Sequence, residues 1–231
     1  MNKLTFLTES KNIDAIPYPY PAEKVLPDWF KNMGLKADKS KPNLMKNVSM
    51  KVCPGIQDTL KTGYIVPAWC DFYVDLSGPT VKFESASGEN FFTAFPPNVG
   101  RNFPFPEDHE GVFLKFRSPW RVASNNNLSV IVSQPKYQFN LPWQMYEGIM
   151  DLGPYIADIN FIITAKRGSI LEFKRGDPLI HLFPFETANF KADVKAFDDT
   201  TLQKLERQVQ LFKSFAFGGF FKTLYKNKKF E

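Results

Sequence analysis

Residues 171–186 read LEFKRGDPLIHLFPFE, and this stretch decides the fold class. Leu171 and Phe173 alternate with Glu172 and Lys174, the period of two expected of a half-buried strand. Arg175-Gly176-Asp177-Pro178 then reads as a turn. Glycine admits positive φ, aspartate bonds its own backbone, and proline presets the next residue's entry. From Pro178 a second, nearly continuous apolar run begins, with Leu179, Leu182 and Phe183 available to a core. The expectation is a closing β-hairpin, with one of the chain's two histidines, His181, inside its second strand.

The same grammar recurs on both sides. "GVFLKFRSPWRV" (111–122) and "NLSVIVSQP" (127–135) flank the asparagine-rich run at 124–127, and "DINFIITAK" (158–166) follows. Upstream, "YIVPAWCDFYVDL" (64–76) reads as strand, Pro67 marking an edge or bulge, and "TVKFES" (80–85) as its hairpin partner. Prolines 27 and 54 suit the first turns of two short helices that stop at Gly34 and Gly63. Asp198 or Asp199 can cap a C-terminal helix with Leu202, Leu205, Val209, Phe212 and Ala216 on one face. The predicted architecture is a single mainly β domain over 1–231, a β-clip or a jelly-roll-like β-sandwich. Short helices precede it, and a Pro/Tyr arm spans about 12–27. The C-terminal helix and a basic tail occupy about 198–231.

Bulk properties agree. The 231 residues are 43% apolar, with 24 Phe and 18 Pro, which favours strands and ordered loops over a helical bundle. A chain of this size buries enough surface to need no staple. No window approaches the run of about 20 apolar residues that a membrane helix needs, so no membrane partner is expected. The start, "MNKLTFLTESKN", lacks an apolar signal core, which predicts a cytoplasmic chain. Cys53 and Cys70 match no zinc or redox spacing. The net charge of +5 is concentrated at the end, in Lys222, Lys226, Lys228 and Lys229. That tail gives only weak support to a nucleic-acid partner.

Four groups of residues carry chemistry. His109 and His181, with Glu110 or Asp108, are the only two-histidine, one-carboxylate set available, the pattern with which jelly-roll oxygenases hold iron. The plainer expectation is a surface loop histidine and a half-buried strand histidine, with no metal favoured. Cys53 and Cys70 are each expected to be structural. Asp151 and Tyr155 place a carboxylate at a turn beside an aromatic ring, which can hold a sugar and orient water. The long loop at 95–110, rich in proline, would edge that pocket. Glycine-rich phosphate loops are absent.

Residues 148–184, "GIMDLGPYIADINFIITAKRGSILEFKRGDPLIHLFP", resemble two segments of the dUTPase superfamily core. The resemblance implies a β-clip and a homotrimer, with Asp151 in the place of the water-activating aspartate and Tyr155 in that of the tyrosine under the deoxyribose. It also makes "RSPWRVAS" (117–124) an echo of the phosphate-binding segment. His181 and Pro178 depart from that pattern. Over more of its length, through "PDWFKNM", "KVCPGIQDTLKTGYIVPAWCDFYV", "SPWRV" and "GDPLIHLFPF", the chain resembles a family of uncharacterised proteins of marine T4-like bacteriophages. That implies expression in a host bacterial cytoplasm, or a place in the virion. The expectation is a phage accessory protein that binds a small molecule or a host protein, through Asp151, Tyr155, His181 and Arg121, on a homo-oligomeric scaffold and without a required cofactor. The alternatives are a magnesium-dependent pyrophosphatase with Asp151 as base, an iron oxygenase, and a structural component of the particle.

Overall fold

The computed structural model describes residues 3–9, 13–34, 49–139, 141–153, 156–188, 191–192, 200, 203–204 and 206–207. The first compact unit spans Met1–Thr187 and the second Ala188–Glu231. The first unit is mainly β. Its strands are β1 (Leu4–Thr8), β2 (Tyr20–Pro21), β3 (Tyr64–Pro67), β4 (Phe72–Asp75), β5 (Lys82–Ser85), β6 (Phe92–Ala94), β7 (Leu114–Ser124), β8 (Leu128–Ser133), β9 (Trp143–Met145), β10 (Gly148–Asp151), β11 (Ala157–Ala165), β12 (Ile170–Phe173) and β13 (Pro178–Glu186). The predicted helices form as α1 (Asp28–Asn32) and α2 (Pro54–Lys61). In the second unit the described Thr200, Gln203, Lys204, Glu206 and Arg207 are helical and exposed, as the sequence predicts. The apolar face proposed for that helix, and the lysine-rich tail, lie outside the described residues.

The strands form three antiparallel sheets. One runs β1-β7-β11-β9, with β6 also paired to β7; a second runs β10-β8-β13-β3-β2; a third runs β12-β4-β5. Alternation explains how the first two face each other. Leu114, Phe116, Trp120 and Val122 of β7 and Ile159, Phe161 and Ile163 of β11 fall on one face of the first sheet. Val66, Val130, Val132, Ile180 and Leu182 do the same in the second, and both sets join one buried cluster. Packing of this kind, face to face around a single core, is that of a β-sandwich. The third sheet adds Phe72, Val74, Leu171 and Phe173 to the same core.

The opening stretch does not form the hairpin its turn suggests. Strand β12 pairs with β4, whereas β13 pairs with β3 and β8, so the strands on either side of Arg175-Gly176 lie in different sheets. The cause is upstream. Residues 68–71 bend the chain between β3 and β4, and residues 174–177 bend beside them: Ala68 N donates to Asp177 O at 2.9 Å and Gly176 N to Ala68 O at 2.8 Å. Two long segments thus run as one bent ribbon from the second sheet into the third. Gly176 sits at φ +91°, and Asp177 accepts from Lys174 N at 3.1 Å, so the turn chemistry read from the sequence holds locally.

The outward face of the second sheet is also covered. Ile65, His181 and Ser133 share that face by register and are buried, and Thr62, at the C-terminal end of α2, meets His181 there. Gly63, at φ +90°, ends the helix so close to β13 that a Cβ there would stand 2.2 Å from Leu182 O. The proline–tyrosine arm packs on its own domain. Pro17 O accepts from the Trp120 indole at 3.2 Å, and the Tyr18 ring packs against the same indole at a tilt of 45°.

Candidate functional site

The structure disperses most of the residues singled out from sequence. His181 is 1% exposed on β13, and its Nε2 lies 2.7 Å from Thr62 O at the end of α2. A carbonyl only accepts, so Nε2 carries the proton. Its Nδ1 and the Oγ of Ser133, directly across the strand pair, are both buried without a partner among the described residues. Burial pushes the imidazole below its ordinary pKa of 6.5. His181 is therefore a neutral pin between sheet and helix.

His109 is buried rather than on the surface, because an isolated bridge with Lys166 draws its loop against the first sheet. Its carbonyl accepts from Arg167 Nε at 3.0 Å, and its Nε2 is 3.8 Å from Asp108 Oδ1. Glu110 follows, its backbone tied to Ala165 and Thr164 of β11. Among the described residues no group of three His, Cys, Asp or Glu side chains could hold a metal ion. The donor set that iron or magnesium would require does not converge on His109, Glu110 and His181.

Asp151 ends β10, the outer strand of the second sheet. It is exposed, and its Oδ1 accepts from Gly153 N at 3.0 Å, the bond of a local turn. Its register partner Ser129 is four residues along β8 from Ser133, the partner of His181. That is about 13 Å of strand, so Asp151 and His181 do not share a pocket. Tyr155 lies outside the described residues.

Arg121 is placed differently. It lines an open cleft of about 830 Å³, together with Arg117, Arg175, Trp69 and Glu89. The cleft exists because one edge of β7 is covered in two pieces. Strand β1 pairs with Trp120–Ser124, and β6 with Leu114–Phe116. Arg117 N still donates to Phe91 O at 2.9 Å, so that edge faces the β6 side. By alternation the next edge-facing position is Pro119, which has no N–H to leave unpaired. Between the two partner strands the edge is open, and Arg117 and Arg121 flank the opening.

The three guanidiniums are held unequally. Arg121 is clamped by Asp158 and Glu9, each at 2.6 Å, and these carboxylates strengthen its hold on its proton. Arg175 donates from Nη2 to Ala15 O at 3.0 Å, and its backbone N to Asp71 Oδ1 at 2.7 Å. The side chain of Arg117 has no hydrogen-bond or ion-pair partner among the described residues. Cys70, also on the wall, is not an activated nucleophile. Burial raises its thiol pKa, only partly offset by Ser87, and Asp71 and Glu89 raise it further. A cleft with fixed guanidiniums and one unpaired arginine can hold an oxyanion by charge-assisted hydrogen bonds.

The chain matches no known protein-family model and no curated protein. Of these cleft residues Arg121 was legible in the sequence as a binding candidate, and Arg117, Arg175 and Glu89 were not. The available signal was "RSPWR": two arginines four apart on one strand share a face, and the proline between them marks an uncovered edge.

Proposed function

We propose that this protein acts by binding, and that its cleft at the uncovered edge of β7 takes a small ligand carrying a carboxylate or phosphate. The observation that carries the proposal is Arg117, unpaired in a cleft where the neighbouring arginines are already fixed. Arg117 anchors the oxyanion. Arg121 and Arg175, held by their own partners, present their remaining donors without further ordering, which lowers the entropic cost of binding. The resemblance to proteins of T4-like bacteriophages makes the setting an accessory role in an infected cell, on a homo-oligomeric scaffold. The pyrophosphatase alternative is less well supported, because Asp151 stands on the outer strand of the second sheet while the "RSPWR" segment lies in the first.

Titration calorimetry and thermal shift with inorganic phosphate, citrate, glutamate and a deoxynucleoside monophosphate test the proposal. At least one should raise the melting temperature, since a ligand at 100 times its Kd adds about 2.7 kcal/mol. Arg117→Ala should weaken that ligand by about 10- to 100-fold, the worth of a charge-assisted bond. If no probe binds, or if Arg117→Ala binds as tightly as the parent, the assignment is wrong.

A further inference from the structure

A second concavity lies beside β9, the outer strand of the first sheet. It holds about 450 Å³, and His109, Gln134, Gln138, Gln144, Tyr137 and Phe139 are among its lining residues. Its chemistry differs from that of the arginine cleft. The charged side chains of its lining are Lys136 and Glu147, and these pair with each other, so the groove offers no free charge to a phosphate. What it offers is amides. Gln134 Oε1 accepts from Met145 N at 3.1 Å, which leaves its NH₂ group unused, and Gln138 and Gln144 have no side-chain partner among the described residues. Each amide is both donor and acceptor.

Aromatic rings stand at the rim. Phe139 is 68% exposed, unusual for a ring this large, and it forms a cluster with Tyr137 and with Trp29 of α1 at 6.2–6.4 Å between centroids. The cluster is fixed from below. The Trp29 indole donates to Tyr137 O at 3.0 Å, and Tyr137 is held at φ +59°, a conformation few non-glycine residues adopt.

We propose that this groove is a binding site for an uncharged oligosaccharide. Sugar hydroxyls donate and accept at once, which matches free glutamine amides. The apolar face of a pyranose ring packs on an aromatic ring, which matches Phe139 and Tyr137. A single-stranded nucleic acid would also stack on those rings, but it requires a positively charged groove, and here the one lysine is already paired. The site is separate from the arginine cleft and does not depend on it.

The full chain is titrated with cellohexaose, maltohexaose and chitohexaose, read by calorimetry and by the fluorescence of Trp29 against a Trp29→Phe control. One of these should bind saturably, with an affinity indifferent to added salt. Phe139→Ala should weaken it by about tenfold and Gln144→Ala by a few-fold, with melting temperatures unchanged, and Arg117→Ala should leave it intact. The proposal fails if none of the three binds at about 10 mM, or if Phe139→Ala and Gln144→Ala bind like the parent. It also fails if a short oligothymidylate binds instead, with the loss on added salt that phosphate contacts produce.

Discussion

At the residue scale His181 is the most informative position. It is a titratable group inside a sheet–helix junction, bonded to Thr62 O and surrounded by Ile65 and Phe183. Its folded pKa lies below the unfolded value because burial disfavours the cation, with Lys136 adding to the effect and Thr62 and Glu147 opposing it. The unfolded chain therefore binds the extra proton more readily as pH falls. Stability from this residue is complete above the unfolded pKa of about 6.5 and is lost progressively below it. Melting temperatures measured from pH 7.5 down to 5 should fall more steeply for the parent than for His181→Gln. Equal slopes would mean that His181 is not buried as a neutral ring. His181→Ala should cost about 2–4 kcal/mol in urea denaturation, from the cavity and from the stranded Thr62 carbonyl.

At the element scale three glycines separate local strain from collision. Gly63 combines φ +90° with Leu182 O in the space its Cβ would take. Gly176 has φ +91° but open space around it, and Gly55 in α2 has open space and no such strain. Gly63→Ala should cost about 3 kcal/mol or more, because a backbone atom must move. Gly176→Ala should cost about 1–2 kcal/mol, the price of the left-handed conformation alone. Gly55→Ala should be neutral or stabilising by up to about 1 kcal/mol. The order of the three urea midpoints checks this account. A Gly63→Ala protein as stable as Gly55→Ala would remove the tight seating of α2 on β13. Elements of this length were legible in part, since both short helices and strands β3–β5, β7, β8 and β11–β13 followed from proline, glycine and apolar spacing, whereas the short strands β2, β6, β9 and β10 did not. Strand pairing was legible for the β4–β5 hairpin and not beyond it. The turn at Arg175-Gly176 has hairpin chemistry, yet β12 and β13 diverge, because long-range partners β3 and β4 bend with them and supply more backbone bonds than the turn can.

At the scale of the whole molecule one aromatic cluster joins the sheets. Phe72 of β4 is buried and stacks on Phe173 at 4.6 Å, while Phe91 and Phe116 meet it from the first sheet's side at 5.2 and 5.7 Å. Phe72→Ala should lose about 3–5 kcal/mol, whereas truncating the exposed Phe139 should change stability by less than about 0.5 kcal/mol. Denaturation of both variants measures the contrast. Among the described residues no helix is long and apolar enough to cross a membrane.

The sequence by itself determined the mainly β class, the two short helices, the turn at Gly176 and the alternating apolar faces. Each depends on residues a few positions apart, whose φ preferences and spacing act locally. Only the tertiary structure decided where the chemistry gathers. Arg117, Arg121, Arg175 and Glu89 meet because β1 and β6 leave a gap along β7, and a gap between two partners of one strand has no local signature. The same reason removed His181 from any site. Its strand has neighbours on both edges and the end of α2 at its outer face, so a residue that looked reactive in sequence became part of the packing.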